Sequence, residues 1–181
     1  MQKSSIKRIG LLRLRPTTCG RTPQKAFIWL IRAARTKRSA PPTPVSRSIL
    51  PLLDARTLAE IVLGRFEQAK SDAQQAMRLS PRDPETPNRL INLGMAELGL
   101  RHFDAAIDEF QKAIDAGAHY FIPYVNLAAA HALLGKMDEA KTALAEGRRL
   151  NPNLTVKWLT NHAPNIPPLF EGLRKAGLAE E

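Results

Sequence analysis

Apolar and polar positions along this chain follow the period of a helix, and one stretch of the pattern occurs twice. Residues 92–114 read NLGMAELGLRHFDAAIDEFQKAI and residues 126–144 read NLAAAHALLGKMDEAKTAL. Asn92, Leu93, Ala96, Asp104 and Ala106 return as Asn126, Leu127, Ala130, Asp138 and Ala140 at a constant step of 34 residues, while Gly94, Phe103 and Phe110 return as Ala128, Met137 and Leu144. A fixed period with conservative exchanges signals a structural repeat whose units bury their apolar faces against one another.

From about Leu50 the pattern predicts helices over 51–62, 66–79, 87–99, 103–116, 121–134 and 137–150, paired as helical hairpins. Gly64, Gly99 and Gly135 are expected to allow the tight inner turns, and Pro81, Pro84, Pro87 and Pro152 punctuate the gaps between hairpins. Asp104 and Asp138 fall where the positive end of a helix dipole favours an acid. Small residues at Gly94, Ala106, Ala113, Ala128 and Ala140 let paired helices approach, and Phe103, Phe110, Met137 and Leu144 fill the space between them. Beyond Pro152, NLTVKWLTNHA and PPLFEGLRKAG read as closing helices, the second stopped by Gly177, with Leu154, Val156, Trp158 and Leu159 covering the last hairpin.

The charge changes this picture at one end only. The chain carries a formal +10 over 181 residues, yet Met1 to Leu53 hold 12 Lys or Arg and no acid, whereas from Asp54 onward 15 basic residues face 17 acids. The basic character belongs to an N-terminal arm, residues 1–49, whose mixture of Lys, Arg, Ser, Thr and Pro predicts disorder. One exception lies within it: in QKAFIWLIRAARTKR, Phe27, Leu30, Ile31 and Ala34 share a helical face flanked by Lys25, Arg32 and Arg35. Such an arm also has the charge to meet nucleic acid or an anionic membrane, or to act in targeting. No base-reading motif accompanies it.

Cys19 is the single cysteine, which excludes an intramolecular disulfide and suits a reducing cytosol. Residues 116–135 lack charged side chains over 20 positions, but His119, Pro123, Asn126 and His131 interrupt them and the repeat already explains their spacing. AFIWLI is too short for a secretory signal, so the reading is cytoplasmic.

The hairpins resemble tetratricopeptide repeats, whose pattern is W-x2-L-G-x2-Y, A-x3-F and P. It falls on Leu90, Leu93, Gly94, Glu97, Ala106 and Phe110, then on Tyr124, Leu127, Ala128, His131, Ala140, Leu144 and Pro152, while the first copy keeps LGRFEQA, Ala69, Ala73, Ala76 and Pro81. The resemblance implies an all-α solenoid of about three repeats, 50–83, 87–118 and 121–152, with a capping segment at 153–181. Residues 63–181 are also similar to the C-terminal repeat tails of bacterial proteins carrying a nucleotide cyclase or winged-helix regulatory domain, although no such domain is expected in the 49-residue arm.

Function follows as an expectation. Stacked hairpins line a concave groove with their first helices. Family resemblance makes Asn92 and Asn126 candidates to hydrogen-bond a bound peptide's backbone, with Ile91, Met95, Val125 and Ala129 as groove neighbours. The cations with which chaperone-serving relatives clamp a terminal carboxylate are absent from the two well-matched repeats, so a mixed polar and apolar peptide or helix is the expected partner. Self-association is a second outlet for the degraded first helix. The implied function is non-enzymatic protein interaction, and the alternative is a regulatory tail of a cyclase or transcription regulator. No cofactor is expected. His102, His119, His131 and His162 do not assemble a metal site by spacing, His131 is a packing residue, and Asp104, Asp108 and Glu109 form a charged outer face.

Overall fold

The computed structural model describes residues 44–181, with side chains from Ile49 onward. The expected disorder of residues 1–43 and the helix expected within QKAFIWLIRAARTKR lie outside the described residues. Among the described residues eight helices follow one another: α1 Pro44–Val62, α2 Phe66–Leu79, α3 Thr86–Gly99, α4 Phe103–Asp115, α5 Phe121–Leu133, α6 Met137–Leu150, α7 Val156–His162 and α8 Pro167–Lys175. No strand occurs among the described residues. Each of the first six helices packs on its sequence neighbours, so three hairpins stack in line as an all-α solenoid.

The small-residue positions work by contact. A Cβ built on Gly94 would lie 2.6 Å from the ring of Phe110, which is fully buried, so the bare backbone of α3 is what admits that ring from α4. Ala69, Ala106, Ala113, Ala128 and Ala140 are fully buried at the corresponding seams.

Two expectations need correcting. The first helix starts at Pro44 rather than 51, so it runs six residues into the segment assigned to the arm, with Pro51 inside it and exposed. Gly99 does not make its turn. Positive φ occurs at Gly64 (74°) and Gly135 (80°), but after α3 it falls on Arg101 (63°), while Gly99 stays helical. Its missing side chain serves packing instead: a Cβ there would meet the Phe66 ring at 2.5 Å, so Gly99 is what lets α2 seat on α3.

Ion pairs tie the helices together, both between hairpins and within them. Arg89 of α3, 3 % exposed, donates from Nε and Nη2 to Asp54 of α1 at 2.8 and 2.9 Å and stands 3.5 Å from Asp83 in the loop before α3. Glu97 receives Lys70 of α2 at 3.0 Å and His102 at 2.9 Å. Arg56 of α1 makes a bidentate pair with the buried carboxylate of Asp72 in α2, which also accepts from Gln68. That pairing, chiefly the hydrogen bond from Arg56, holds the Asp72 carboxyl below its ordinary pKa.

Past α6 the chain turns back. Thr155 caps α7 by accepting from the Trp158 amide at 3.0 Å. The free amides of Val156 and Lys157 donate to the carbonyls of Ala179 and Glu180, so the C-terminal residues close onto the start of α7. Gly177, at φ 89°, ends α8 as expected.

Candidate functional site

The first helices of the second and third hairpins, α3 and α5, pack on each other and present the face on which the concave groove was expected. That face is occupied. The last helix, α8, lies on α5 and also reaches α3, but it does not pack on α6, the outermost helix of the last hairpin. Sequence reasoning made residues 153–181 an end cap; the structure places α8 across the groove.

The reason is in the helix itself. Leu169, Phe170 and Leu173 are buried on one side of α8, Ala176 just beyond it is buried too, and Glu171, Arg174 and Lys175 are exposed on the other side. Gly172 sits between the apolar residues and touches α5 backbone to backbone. A Cβ at that position would lie 2.8 Å from both the Cα and the carbonyl carbon of Ala129, and nearer still to its carbonyl oxygen. Only glycine permits this approach. At the rim, Arg101 after α3 holds Glu171 at 2.8 Å, with both side chains about half exposed.

All six residues expected to line the groove are buried. Asn92 and Asn126 occupy matching positions on α3 and α5 and are 9 % and 3 % exposed. Asn126 donates from Nδ2 to the Ile122 carbonyl one turn earlier at 2.9 Å, whereas its buried Oδ1 has no donor. Ile91, Met95 and Ala129 belong to the same contiguous core as Leu169, Phe170 and Leu173. Val125 looks elsewhere: its Cγ2 stands against Gly147 of α6, 3.0 Å from where a Cβ would be, so it packs inside its own hairpin.

His131, at the pattern's aromatic position, is half-buried with Nδ1 unpaired. Burial pushes its pKa below the ordinary value, Lys136 reinforces the effect and Glu139 opposes it. Trp158 of α7 stacks on His162 with ring centroids 4.3 Å apart and meets Phe121 edge-on at 5.5 Å, which fastens α7 to the start of α5.

An open cleft of about 720 Å³ lies between α4, α5 and α6, lined by Ile114, Tyr124, Leu127 and Ala143 among others. Its Arg149 is already engaged by Glu146 at 2.6 Å. Among the described residues no group of three or more His, Cys, Asp or Glu is placed to hold a metal ion, and no helix is long and apolar enough to cross a membrane.

Comparison with known proteins agrees with this architecture. Residues 88–116 and 123–154 match the tetratricopeptide repeat family model. No curated protein matches the chain significantly. Among solved structures, the first tetratricopeptide repeat unit of Spaghetti (RPAP3), bound to the HSP90 peptide SRMEEVD, superposes with a TM-score of 0.55 at 21% identity over 71% of this chain and 90% of that one. The crystal structure of MamA superposes with a TM-score of 0.54 at 17% identity, over 84% of this chain and 83% of that one. At these identities the likeness is one of fold: a helical-hairpin solenoid containing tetratricopeptide repeats.

Proposed function

We propose that this chain is a non-enzymatic protein-interaction module that binds a peptide or helix in the groove of α3 and α5. Asn92 and Asn126 are its hydrogen-bonding residues, and Ile91, Met95, Val125 and Ala129 are its apolar lining and support. One observation carries the reading: α8, an amphipathic helix from this chain, is seated on that face. A surface shaped for one short helix with a glycine at its closest approach is shaped for another of the same kind, and α8 is then the resident competitor. Asn126 supports the polar part, because a buried acceptor without a donor costs on the order of 1–3 kcal/mol, which a ligand amide reaching it would recover. The solved neighbour that holds a peptide supports the class of partner.

Competition sets the affinity required. A tethered segment acts at an effective concentration on the order of 1 mM, so a partner at about 10 µM displaces α8 only if it binds about a hundredfold more tightly. The alternative function, a regulatory tail serving a bacterial nucleotide cyclase or winged-helix regulator, uses the same groove and is separated by the identity of the captured polypeptide.

The test is a labelled synthetic peptide of residues 164–181, titrated by fluorescence anisotropy against the intact chain and against Gly172→Leu. The side chain introduced at position 172 collides with the Ala129 backbone and drives α8 out. The peptide is expected to bind the variant and not the intact chain. A helical variant that ignores the peptide would remove the groove assignment.

A further inference from the structure

The three hairpins share one turn geometry, and in the second hairpin the residue that makes it is not glycine. Two residues before the second helix of each hairpin the backbone takes a positive φ: Gly64 (74°) before Phe66, Arg101 (63°) before Phe103 and Gly135 (80°) before Met137. Glycine enters this left-handed region freely, whereas a side chain crowds the backbone there. Arg101 gives up the conformational ease that the same position keeps in the first and third hairpins. A strained residue standing where glycine would serve the turn better points to a use for its side chain.

The guanidinium has such a use. Arg101 donates from Nη2 to Glu171 of α8 at 2.8 Å, across 70 positions of sequence. Among the described residues this is the one ion pair that α8 makes with the hairpins; Arg174 pairs instead with Glu180 of its own tail. Glu171 immediately precedes Gly172, whose missing side chain lets α8 touch the backbone of Ala129. Acid and glycine are contacted side by side, the first by a cation at the rim and the second by the main chain of α5. The buried Leu169, Phe170, Leu173 and Ala176 contribute apolar area, which is non-directional.

We propose, resting on the groove reading, that Arg101 is the selectivity residue of the α3/α5 groove and that the partner displacing α8 is an amphipathic helix with an acid directly before a glycine and apolar residues at the places of Leu169, Phe170 and Leu173. A basic residue at the place of Glu171 faces the guanidinium with like charge, and a side chain at the place of Gly172 collides with Ala129. With both partners about half exposed, the ion pair shifts affinity by up to about fivefold, so Arg101 discriminates among helices that already fit.

Fluorescence anisotropy tests this with two labelled peptides of residues 164–181, one unchanged and one with Glu171→Lys, titrated against Gly172→Leu and against Gly172→Leu combined with Arg101→Glu. The first protein is expected to prefer the unchanged peptide by about fivefold and the second to prefer the Glu171→Lys peptide, with both preferences shrinking in about 1 M salt. Equal binding of the two peptides by both proteins overturns the role of Arg101 and leaves the groove reading standing, whereas no binding by either protein removes both. The intact chain gives a second measurement that needs no vacated groove. Arg101→Gly relieves the turn, so the amides of α3 and α4 should exchange no faster than in the wild type, while those of α8 exchange about two- to fivefold faster. If Arg101 serves only the turn, exchange in α8 is unchanged or slower, and that result overturns the proposal.

Discussion

Replacing Gly172 by alanine separates packing from helix propensity, because the two effects have opposite signs. In a solvent-exposed helix the change would stabilise by about 1 kcal/mol. Here the new methyl meets backbone: at 2.8 Å from the Ala129 Cα, α8 must retreat by at least about 0.6 Å to reach ordinary contact at 3.4 Å. No side-chain rotation relieves a clash with main chain, so the cost lies at the upper end of the 1–3 kcal/mol typical of overpacking. The net expectation is a loss of about 1–2 kcal/mol. The helix shifts rather than leaves, since expelling it would expose Leu169, Phe170 and Leu173 at about 1.5–3 kcal/mol each. Urea unfolding of Gly172→Ala against the wild type gives the difference, and circular dichroism of the isolated 164–181 peptide with the same change gives the opposing propensity gain. A protein of equal or greater stability would refute the close approach of α8 to α5.

Other substitutions probe the rest of the framework. Phe110→Ala removes a fully buried ring seated on Gly94 and should cost about 3–5 kcal/mol in urea unfolding. Arg89→Met leaves Asp54 and Asp83 without their shared cation; because both carboxylates keep some water, the loss should be about 2–3 kcal/mol, below that of a fully buried pair. The neutral form of His131 is favoured by folding, so its contribution is complete above the unfolded value of about 6.5 and is lost as pH falls through and below it. The urea midpoint of the wild type should therefore drop more between pH 7.5 and pH 5 than that of His131→Phe, and equal drops would contradict the assignment.

Much of this architecture was legible in the residues because its physics is local. The 34-residue recurrence of Asn92, Leu93 and Ala96 fixed the hairpin register, and the six helices from α1 to α6 end within a residue or so of where glycine and proline said they should. Gly99 misled because a glycine at a helix end reads as a turn, whereas its partner Phe66 is 33 residues away and no local pattern reveals the contact. The start of α1 was missed because Pro51 looks like a boundary, although a proline with an exposed side chain interrupts only one hydrogen bond of the helix. The groove was hardest. Asn92 and Asn126 were placed correctly on first helices, but their exposure depended on where PPLFEGLRKAGL would go, and an amphipathic helix with a central glycine caps an end or fills a groove with equal local logic. Only the long-range contact between Gly172 and Ala129 separates the two.

That contact is also the most direct test of the whole account. Nuclear Overhauser spectroscopy of the intact chain should give cross-peaks between the Gly172 Hα protons and the Hα of Ala129, together with contacts from α8 to α3 and none to α6. Cross-peaks from Leu169 and Leu173 to α6 instead, with Ala129 free of Gly172, would make α8 an ordinary end cap and leave the groove empty.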